Sequence, residues 1–166
     1  MHKIALVGCG RISNNHIEAI TKLKEEGMTE LVACCDIIPE RAIEAAMKAG
    51  GSCKSYTDYS QMLRETDADL ISICTPSGLH PYQAIAAAEA GKNILSEKPQ
   101  GCSLEVCDKA IEAADKANVK YMVVKQNRFN PSIQLLRRAY EKGRFGKIYM
   151  ILANVLWTRP QDYYDM

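Results

Sequence analysis

The 166-residue sequence has few of the features that mark specialised classes of protein. It contains one tryptophan and two phenylalanines, and 21 basic side chains against 20 acidic ones leave a formal net charge of +1. It has no basic stripe of the kind that binds nucleic acid, and no apolar run approaches the roughly 20 residues needed to cross a bilayer. Because the first apolar run starts at the N-terminus, we expect no cleaved leader. The sequence therefore predicts a cytoplasmic globular protein without a nucleic-acid or membrane partner.

Cysteine is abundant, but the arrangement of the seven cysteines predicts neither a disulfide framework nor a metal site. Their number is odd, they form no Cys-x-x-Cys pair, and no histidine follows at a zinc-binding spacing. The seven are Cys9, Cys34, Cys35, Cys53, Cys74, Cys102 and Cys107. We expect small structural side chains of a reducing compartment, and no bound metal.

The N-terminal residues have a pattern typical of a nucleotide site, an apolar strand that runs into a glycine-rich turn. The turn reads Gly8-x-Gly10-x-x-Ser13, with serine in place of a third glycine. Gly8 permits a sharp turn at the strand end, and Gly10 lets the backbone approach a pyrophosphate at the N-terminus of the following helix. The cofactor contacts predicted from this turn are Gly8, Gly10, Arg11 and Ile12.

An acidic residue, Asp36, closes the second apolar run. A carboxylate there can accept hydrogen bonds from the adenosine ribose hydroxyls, and it would repel the 2′-phosphate of NADP. The next residues, Ile37 and Ile38, supply no cation that would reverse this preference. We therefore predict NAD as the cofactor. The alternative is that Asp36 only caps the helix that opens at Pro39.

Strands and helices alternate through the first three quarters of the chain. The predicted strands cover 3–7, 30–35, 52–56, 68–74, 93–96 and 121–124, and the predicted helices cover 16–26, 39–49, 58–65, 80–90, 103–117 and 132–141. This alternation is typical of a parallel sheet with right-handed crossovers, in which ligands bind beyond the carboxyl ends of the strands. We predict an α/β, doubly wound Rossmann-type domain over residues 1–125 that binds a dinucleotide.

Residues 126–166 follow after this domain is complete. They contain the predicted helix 132–141 and a strand-like segment, 147–157. We interpret them as a connecting helix and the truncated start of a C-terminal α+β substrate domain, of which only the first strand is present. Because the apolar segment has no sheet to join, we predict a homo-oligomer that forms through it, or else disorder and poor solubility.

Three short motifs follow successive strands, and together they resemble the Gfo/Idh/MocA oxidoreductases. The motifs are Gly8-x-Gly10 with His16, Thr75-Pro76 with His80, and Glu97-Lys98-Pro99. Within this family, residues 126–131 and 157–164 look most like the branch that oxidises C3 of UDP-N-acetylglucosaminuronic acid. The resemblance covers the whole chain and implies an NAD-dependent dehydrogenase of sugars or nucleotide sugars.

The resemblance implies a catalytic role for Lys98, and elementary chemistry agrees. Pro99 keeps Lys98 out of the helical region and permits a cis peptide bond, so the side chain can be fixed toward the cleft. In the family this lysine hydrogen-bonds the reacting hydroxyl, where a cation favours the alkoxide that develops as hydride leaves. The alternative is a solvated surface lysine. Glu97 can simply pair with a neighbouring cation.

Other polar residues at the strand ends are weaker candidates. His80 can border the cofactor or be a helix-terminus residue, and His16 is at least as consistent with a hydrogen-bonded structural histidine. Arg128 suits a substrate carboxylate or phosphate, but it is equally consistent with a surface arginine. The remaining predicted cofactor contacts are Thr75, Pro76, His80, Glu97, Lys98 and Gln126. The predicted substrate contacts are Lys98, Arg128 and Asn130.

Two classes of function fit these residues. The first is the cofactor-binding half of a sugar dehydrogenase that transfers hydride from a secondary hydroxyl to NAD, inactive as this short chain. The second is a non-catalytic NAD-binding sensor or assembly module. A lysine fixed beside the nicotinamide favours the enzyme, because a sensor has no use for it.

Overall fold

The computed structural model describes residues 1–50 and 52–165. Six parallel strands form one sheet in the order β3-β2-β1-β4-β5-β6. The strands are β1 (His2–Val7), β2 (Thr29–Cys35), β3 (Lys54–Tyr56), β4 (Leu70–Ile73), β5 (Asn93–Ser96) and β6 (Tyr121–Val123). The order reverses at β1, which pairs with β2 on one side and β4 on the other. This is the predicted doubly wound Rossmann-type sheet, with a crevice where neighbouring crossovers diverge.

Five helices connect these strands. They are α1 (Ser13–Glu25), α2 (Pro39–Ala49), α3 (Tyr59–Glu65), α4 (His80–Glu89) and α5 (Leu104–Ala117). A one-turn 3-10 helix, Ser77–Leu79, precedes α4. The largest difference from the predicted boundaries is at α1, which begins three residues before the predicted start at His16. The side chain of Ser13 bonds back to the glycine turn and starts the helix there, a signal that apolar periodicity does not contain.

The alternating side chains of the strands fill two cores, one on each face of the sheet. Along β1, Ala5 and Val7 pack on the face covered by α3, α4 and α5, whereas Ile4 and Leu6 pack on the face covered by α1 and α2. Burial on both faces explains why the strands read as nearly continuous apolar runs. The two layers of helices hold the sheet rigid, so its carboxyl edge can position functional side chains.

The chain divides into two compact units, Met1–Lys125 and Gln126–Met166. The second unit contains a 3-10 helix (Gln126–Phe129), the helix α6 (Pro131–Glu141) and a short 3-10 turn (Gln161–Tyr163). The prediction of a strand over 147–157 is wrong for the described structure, in which this segment pairs with no other described strand. Its composition favours a strand, but a strand forms only where another supplies backbone hydrogen bonds.

None of the described helices combines the length and the apolar character required to span a membrane.

Candidate functional site

The predicted site residues of the first unit follow the carboxyl ends of four adjacent strands. The glycine turn follows β1, Asp36 follows β2, Thr75 follows β4, and Glu97 follows β5. Since β1 and β4 lie side by side where the strand order reverses, these loops border the crevice at that position. An open parallel sheet binds its ligands there.

Gly8 occupies a position that only glycine fits. Its φ is +87°, and a Cβ atom built on it would lie 2.6 Å from the Thr75 nitrogen and 2.7 Å from the Cys74 carbonyl carbon. Both of these atoms are backbone, so the neighbouring strand end cannot give way as a flexible side chain could. Gly8 thus lets the turn leave β1 while touching the end of β4, and its N–H donates to the Cys35 carbonyl at 2.8 Å.

Gly10 is glycine for a different reason. A Cβ built there meets no protein atom within 4 Å, so this face of the turn is open. Ser13, only 2% exposed, donates its hydroxyl to the Gly10 carbonyl at 2.5 Å and holds the turn against the start of α1. The first turn of α1 contains no acidic side chain that would offset its N-terminal partial charge. An open backbone at such a terminus fits a pyrophosphate. Arg11 and Ile12 are exposed at this turn.

Asp36 is held by two backbone groups. Its Oδ2 accepts the Cys9 N–H at 2.7 Å, and its Oδ1 accepts the Ile38 N–H at 2.9 Å. Ile38 is the N-cap residue of α2, so the carboxylate also holds the backbone at the point where that helix begins. Each oxygen keeps a lone pair beyond these bonds, and the carboxylate is anchored directly to the glycine turn.

His80 is placed differently from the sequence-based prediction. The ring is 1% exposed, with Nδ1 2.7 Å from the Pro99 carbonyl and Nε2 2.7 Å from the Thr75 carbonyl. Both nitrogens face backbone oxygens, so the ring joins two turns of the site and does not border the crevice. Thr75 points its hydroxyl at the Gln83 side chain at 2.5 Å. Pro76 lies at the surface of the same turn.

Glu97 and His16 form a buried chain of contacts behind the lysine. His16 Nδ1 lies 2.9 Å from the Ser72 hydroxyl, and its Nε2 lies 3.1 Å from Glu97 Oε1. The other oxygen, Glu97 Oε2, accepts the Lys98 N–H at 3.1 Å. The Glu97 side chain is therefore committed to its neighbours, and its side-chain partner is the ring of a histidine of α1.

Lys98 itself is exposed, and its bond to Pro99 is cis, as the sequence allowed. Its side-chain nitrogen makes no hydrogen bond to any group in the described part of the chain. Because the backbone on both sides is fixed, by Glu97 before it and by His80 on the Pro99 carbonyl, the side chain extends from a rigid turn. It can donate up to three hydrogen bonds to a ligand.

The remaining candidates belong to the second unit. Gln126 and Arg128 lie in its first 3-10 helix, with Arg128 exposed. Asn130 is the N-cap of α6, where its side chain makes no capping bond. Within the described residues, no group of three or more histidine, cysteine, aspartate or glutamate side chains could hold a metal ion.

His16 fits the hydrogen-bonded structural histidine that the sequence allowed. Its partner Ser72 belongs to none of the sequence motifs. A signal for Ser72 was present, because it is the one polar residue in the apolar strand Leu70–Ile73. A buried polar side chain needs a hydrogen-bond partner, and for Ser72 this partner is His16 on α1.

The Rossmann-type sheet, the glycine turn after β1 and the crevice where the strand order reverses together define a dinucleotide-binding oxidoreductase domain. The model of the Gfo/Idh/MocA family, an oxidoreductase family with an NAD-binding Rossmann fold, matches residues 2–125. The chain belongs to this family, which confirms the predicted family, fold and NAD cofactor.

Individual relatives extend this result. The structure of the WlbA dehydrogenase from Bordetella pertussis in complex with NADH and UDP-GlcNAcA is 47% identical, with a TM-score of 0.92 over 99% of this chain. D-apiose dehydrogenase of Paraburkholderia graminis is 34% identical over 87% of this chain, and myo-inositol 2-dehydrogenase of Thermotoga maritima is 30% identical over 90%. The chain spans 50%, 37% and 43% of these three proteins, respectively. The similarity to WlbA matches the branch that the sequence resembles.

Proposed function

We propose that this domain is the cofactor-binding half of an NAD-dependent dehydrogenase that oxidises a secondary hydroxyl of a sugar or nucleotide sugar. The observation that carries the proposal is Lys98, an exposed lysine on a turn held by hydrogen bonds at the same edge of the sheet as the glycine turn. The substrate we favour is a UDP-N-acetyl-hexosaminuronic acid, oxidised at C3. The 47% identity to a dehydrogenase solved with NADH and UDP-GlcNAcA supports this choice over the inositol and apiose substrates of the more distant relatives.

The cofactor contacts divide into three parts of the crevice. The turn at Gly8 and Gly10, with Arg11 and Ile12, surrounds the pyrophosphate, and Asp36 accepts hydrogen bonds from the adenosine ribose. Thr75 and Pro76 are proposed to line the nicotinamide side, and Gln126 of the second unit is proposed as a further cofactor contact. Glu97 and His80 contribute by holding the turns, since both side chains are buried and engaged within the protein.

The chemistry of this chain centres on Lys98. When bound, NAD supplies the acceptor for hydride. The Lys98 ammonium hydrogen-bonds the reacting hydroxyl and stabilises the negative charge that develops on its oxygen as the C–H bond breaks. The fixed backbone limits the freedom that Lys98 loses on engaging the substrate.

Residues 126–166 are proposed to be the connecting helix and the start of a substrate domain, with residues 1–125 as the complete cofactor domain. Arg128 and Asn130 are proposed substrate contacts, the guanidinium matching a carboxylate or phosphate. On this proposal, the 166-residue chain binds NAD but does not turn over sugar, because the relatives it matches are about twice as long or more.

The proposed partners are a small sugar substrate and a second copy of the chain, in the cytoplasm, without nucleic acid or membrane. Self-association is supported by the apolar segment of the second unit, in which Leu152 and Leu156 are 81% and 94% exposed. Light scattering tests this point directly. A monomer at all concentrations would argue against it, and Leu152→Ser with Leu156→Ser should dissociate an oligomer that forms through this segment.

The decisive experiment joins this domain to a substrate domain of the family and screens nucleotide sugars for NADH formation. NADH formation with a UDP-hexosaminuronic acid, lost in Lys98→Ala, supports the proposal. Tight NAD binding with no turnover of any sugar would favour the non-catalytic sensor or assembly module instead.

A further inference from the structure

Four cysteine thiols share the core on the α1 and α2 face of the sheet: Cys9, Cys34, Cys53 and Cys74. The thiol of Cys34, on β2, lies beside that of Cys53. The two sulfurs are 3.8 Å apart, within hydrogen-bonding distance for thiols, and either thiol can be the donor. None of the seven described cysteines forms a disulfide.

The strand register explains why these two thiols meet. Cys34 on β2 pairs with Ser55 on the parallel strand β3. Since side chains alternate along a strand, Cys53, two residues before Ser55, faces the same side of the sheet as Cys34. Cys35 is adjacent in sequence but faces the opposite core. Cys53 therefore contacts Cys34 and not Cys35.

The two thiols differ in accessibility and in acidity. Cys34 is 0% exposed, whereas Cys53 is partly exposed and lines a surface cleft beside Pro39 and Tyr56. The hydrogen bond with the Cys34 thiol lowers the pKa of Cys53, and the charge of Lys24 also lowers it, whereas burial and the charge of Glu30 raise it. The same bond raises the pKa of Cys34. The thiolate thus forms on the sulfur that solvent can reach, next to a thiol that keeps its proton.

We propose that Cys53 and Cys34 form an oxidisable thiol pair, in which hydrogen peroxide oxidises Cys53 and Cys34 then closes a disulfide with it. In the first step the Cys53 thiolate attacks one peroxide oxygen, the O–O bond breaks, and Cys53 sulfenic acid and hydroxide form. In the second step the Cys34 sulfur displaces the sulfenic hydroxyl, which leaves with the Cys34 proton as water. The pair loses two electrons, and the peroxide gains them.

A small neutral oxidant suits this site. Cys34 cannot meet a bulky disulfide reagent because it is fully buried, so oxidation must enter through Cys53. An accessible, acidic cysteine beside a second thiol is the arrangement typical of redox-sensitive cysteines. This inference is independent of the proposed dehydrogenase activity, because it concerns only residues on β2 and before β3.

The test uses the 166-residue chain carrying Cys102→Ser, which removes the exposed thiol. After treatment with hydrogen peroxide near neutral pH, tryptic peptides are analysed by mass spectrometry. We expect the peptide ending at Lys54 to be joined to the peptide containing Cys34, with the loss of two hydrogens. Fragmentation between Cys34 and Cys35 identifies the sulfur that is linked.

Three variants make the assignment specific. Cys53→Ser should abolish the cross-link, and Cys35→Ser, the matched control on the other face, should retain it. In Cys34→Ala, Cys53 sulfenic acid should accumulate and react with dimedone about tenfold more than in the parent protein, because its partner thiol is gone. Circular dichroism checks folding, and the partly exposed Cys53 variant carries the test if Cys34→Ala unfolds. A cross-link through Cys35, or a Cys53 that peroxide leaves unmodified, overturns the proposal.

Discussion

His16 on α1 and Glu97 after β5 lie 3.1 Å apart, between Nε2 and Oε1, with both side chains almost buried. α1 begins at the glycine turn, and Glu97 holds the backbone of Lys98. One contact therefore links the proposed pyrophosphate site to the proposed catalytic lysine.

Removing this contact should destabilise the domain. His16→Ala leaves the buried Glu97 carboxylate without its ring partner, at an expected cost of about 1–3 kcal/mol in the free energy of unfolding. Urea unfolding measures the change. Glu97→Gln and the double variant complete a cycle, in which a coupling of about 0.5–3 kcal/mol is expected for residues in contact.

The matched control for this cycle is His2→Ala. His2 is also a histidine beside a carboxylate, 3.9 Å from Asp69, but its side chain is 83% exposed. Its removal should change stability by no more than about 0.5 kcal/mol. Additive effects of the His16 and Glu97 variants would show that the two side chains are not coupled.

The two glycines of the turn should respond differently to alanine. Gly8→Ala forces a Cβ to within 2.6 Å of the Thr75 nitrogen at positive φ, so stability should fall by about 1–3 kcal/mol or more. Gly10→Ala meets no protein atom and should leave the free energy of unfolding within about 1 kcal/mol of the parent. The added methyl should nevertheless weaken NAD binding at least about tenfold, by occupying space that a pyrophosphate needs.

Thermal unfolding with and without NAD distinguishes these effects. Without NAD, Gly10→Ala should unfold at nearly the same temperature as the parent protein. Adding NAD should raise its unfolding temperature little, because the stabilisation by a ligand depends on the affinity for that ligand. Unchanged NAD affinity in this variant would place the pyrophosphate elsewhere.

Cofactor preference should depend on Asp36. The domain is expected to bind NAD at least about tenfold more tightly than NADP, because the carboxylate accepts ribose hydroxyls and repels a 2′-phosphate. Calorimetry with both cofactors measures the ratio, and Asp36→Ala should narrow it by weakening NAD more than NADP. Equal affinities in the parent protein would contradict the assignment.

The sheet was predictable from sequence because its signals are local. The strand Asn93–Ser96 and the helix Pro39–Ala49 begin and end where the apolar pattern indicated. The strand expected at 147–157 failed because strand formation depends on a partner elsewhere in the chain. The motif order likewise predicted that the candidate residues lie at the carboxyl ends of the strands, but it could not show that the side chains of His80 and Glu97 are buried. Their burial depends on which groups the neighbouring strand ends bring within hydrogen-bonding distance.

Cys53 should become reactive at lower pH than the buried thiols of Cys35 and Cys74. Because the pKa of Cys53 is lowered, its thiolate forms at lower pH than that of an ordinary thiol, and its alkylation should reach half-maximal rate at a correspondingly lower pH. Burial raises the pKa of Cys35 and of Cys74 to about 12, so both should stay unreactive in the folded chain. Iodoacetamide labelling followed by peptide mass spectrometry measures all three. In Cys34→Ala the pH profile of Cys53 alkylation should move to higher pH, because the hydrogen bond between the two thiols is lost.

Lys98 should be needed for turnover of sugar but not for binding of NAD. In the 166-residue chain, NAD should bind without forming NADH from UDP-sugars, because hydride transfer needs the substrate carbon held within about 3–3.5 Å of the nicotinamide. When the domain is joined to a substrate domain, Lys98→Ala should lower kcat by about 100-fold or more and leave NAD affinity nearly unchanged. Lys109→Ala, an exposed lysine paired with Glu105 on α5, is the control and should change neither quantity. An unchanged kcat in Lys98→Ala would remove this residue from the mechanism. If Lys98→Ala instead lowers NAD affinity as much as it lowers kcat/KM, Lys98 acts in cofactor binding. A catalytic role lowers kcat itself, because only an interaction that is stronger in the transition state than in the ground state does so.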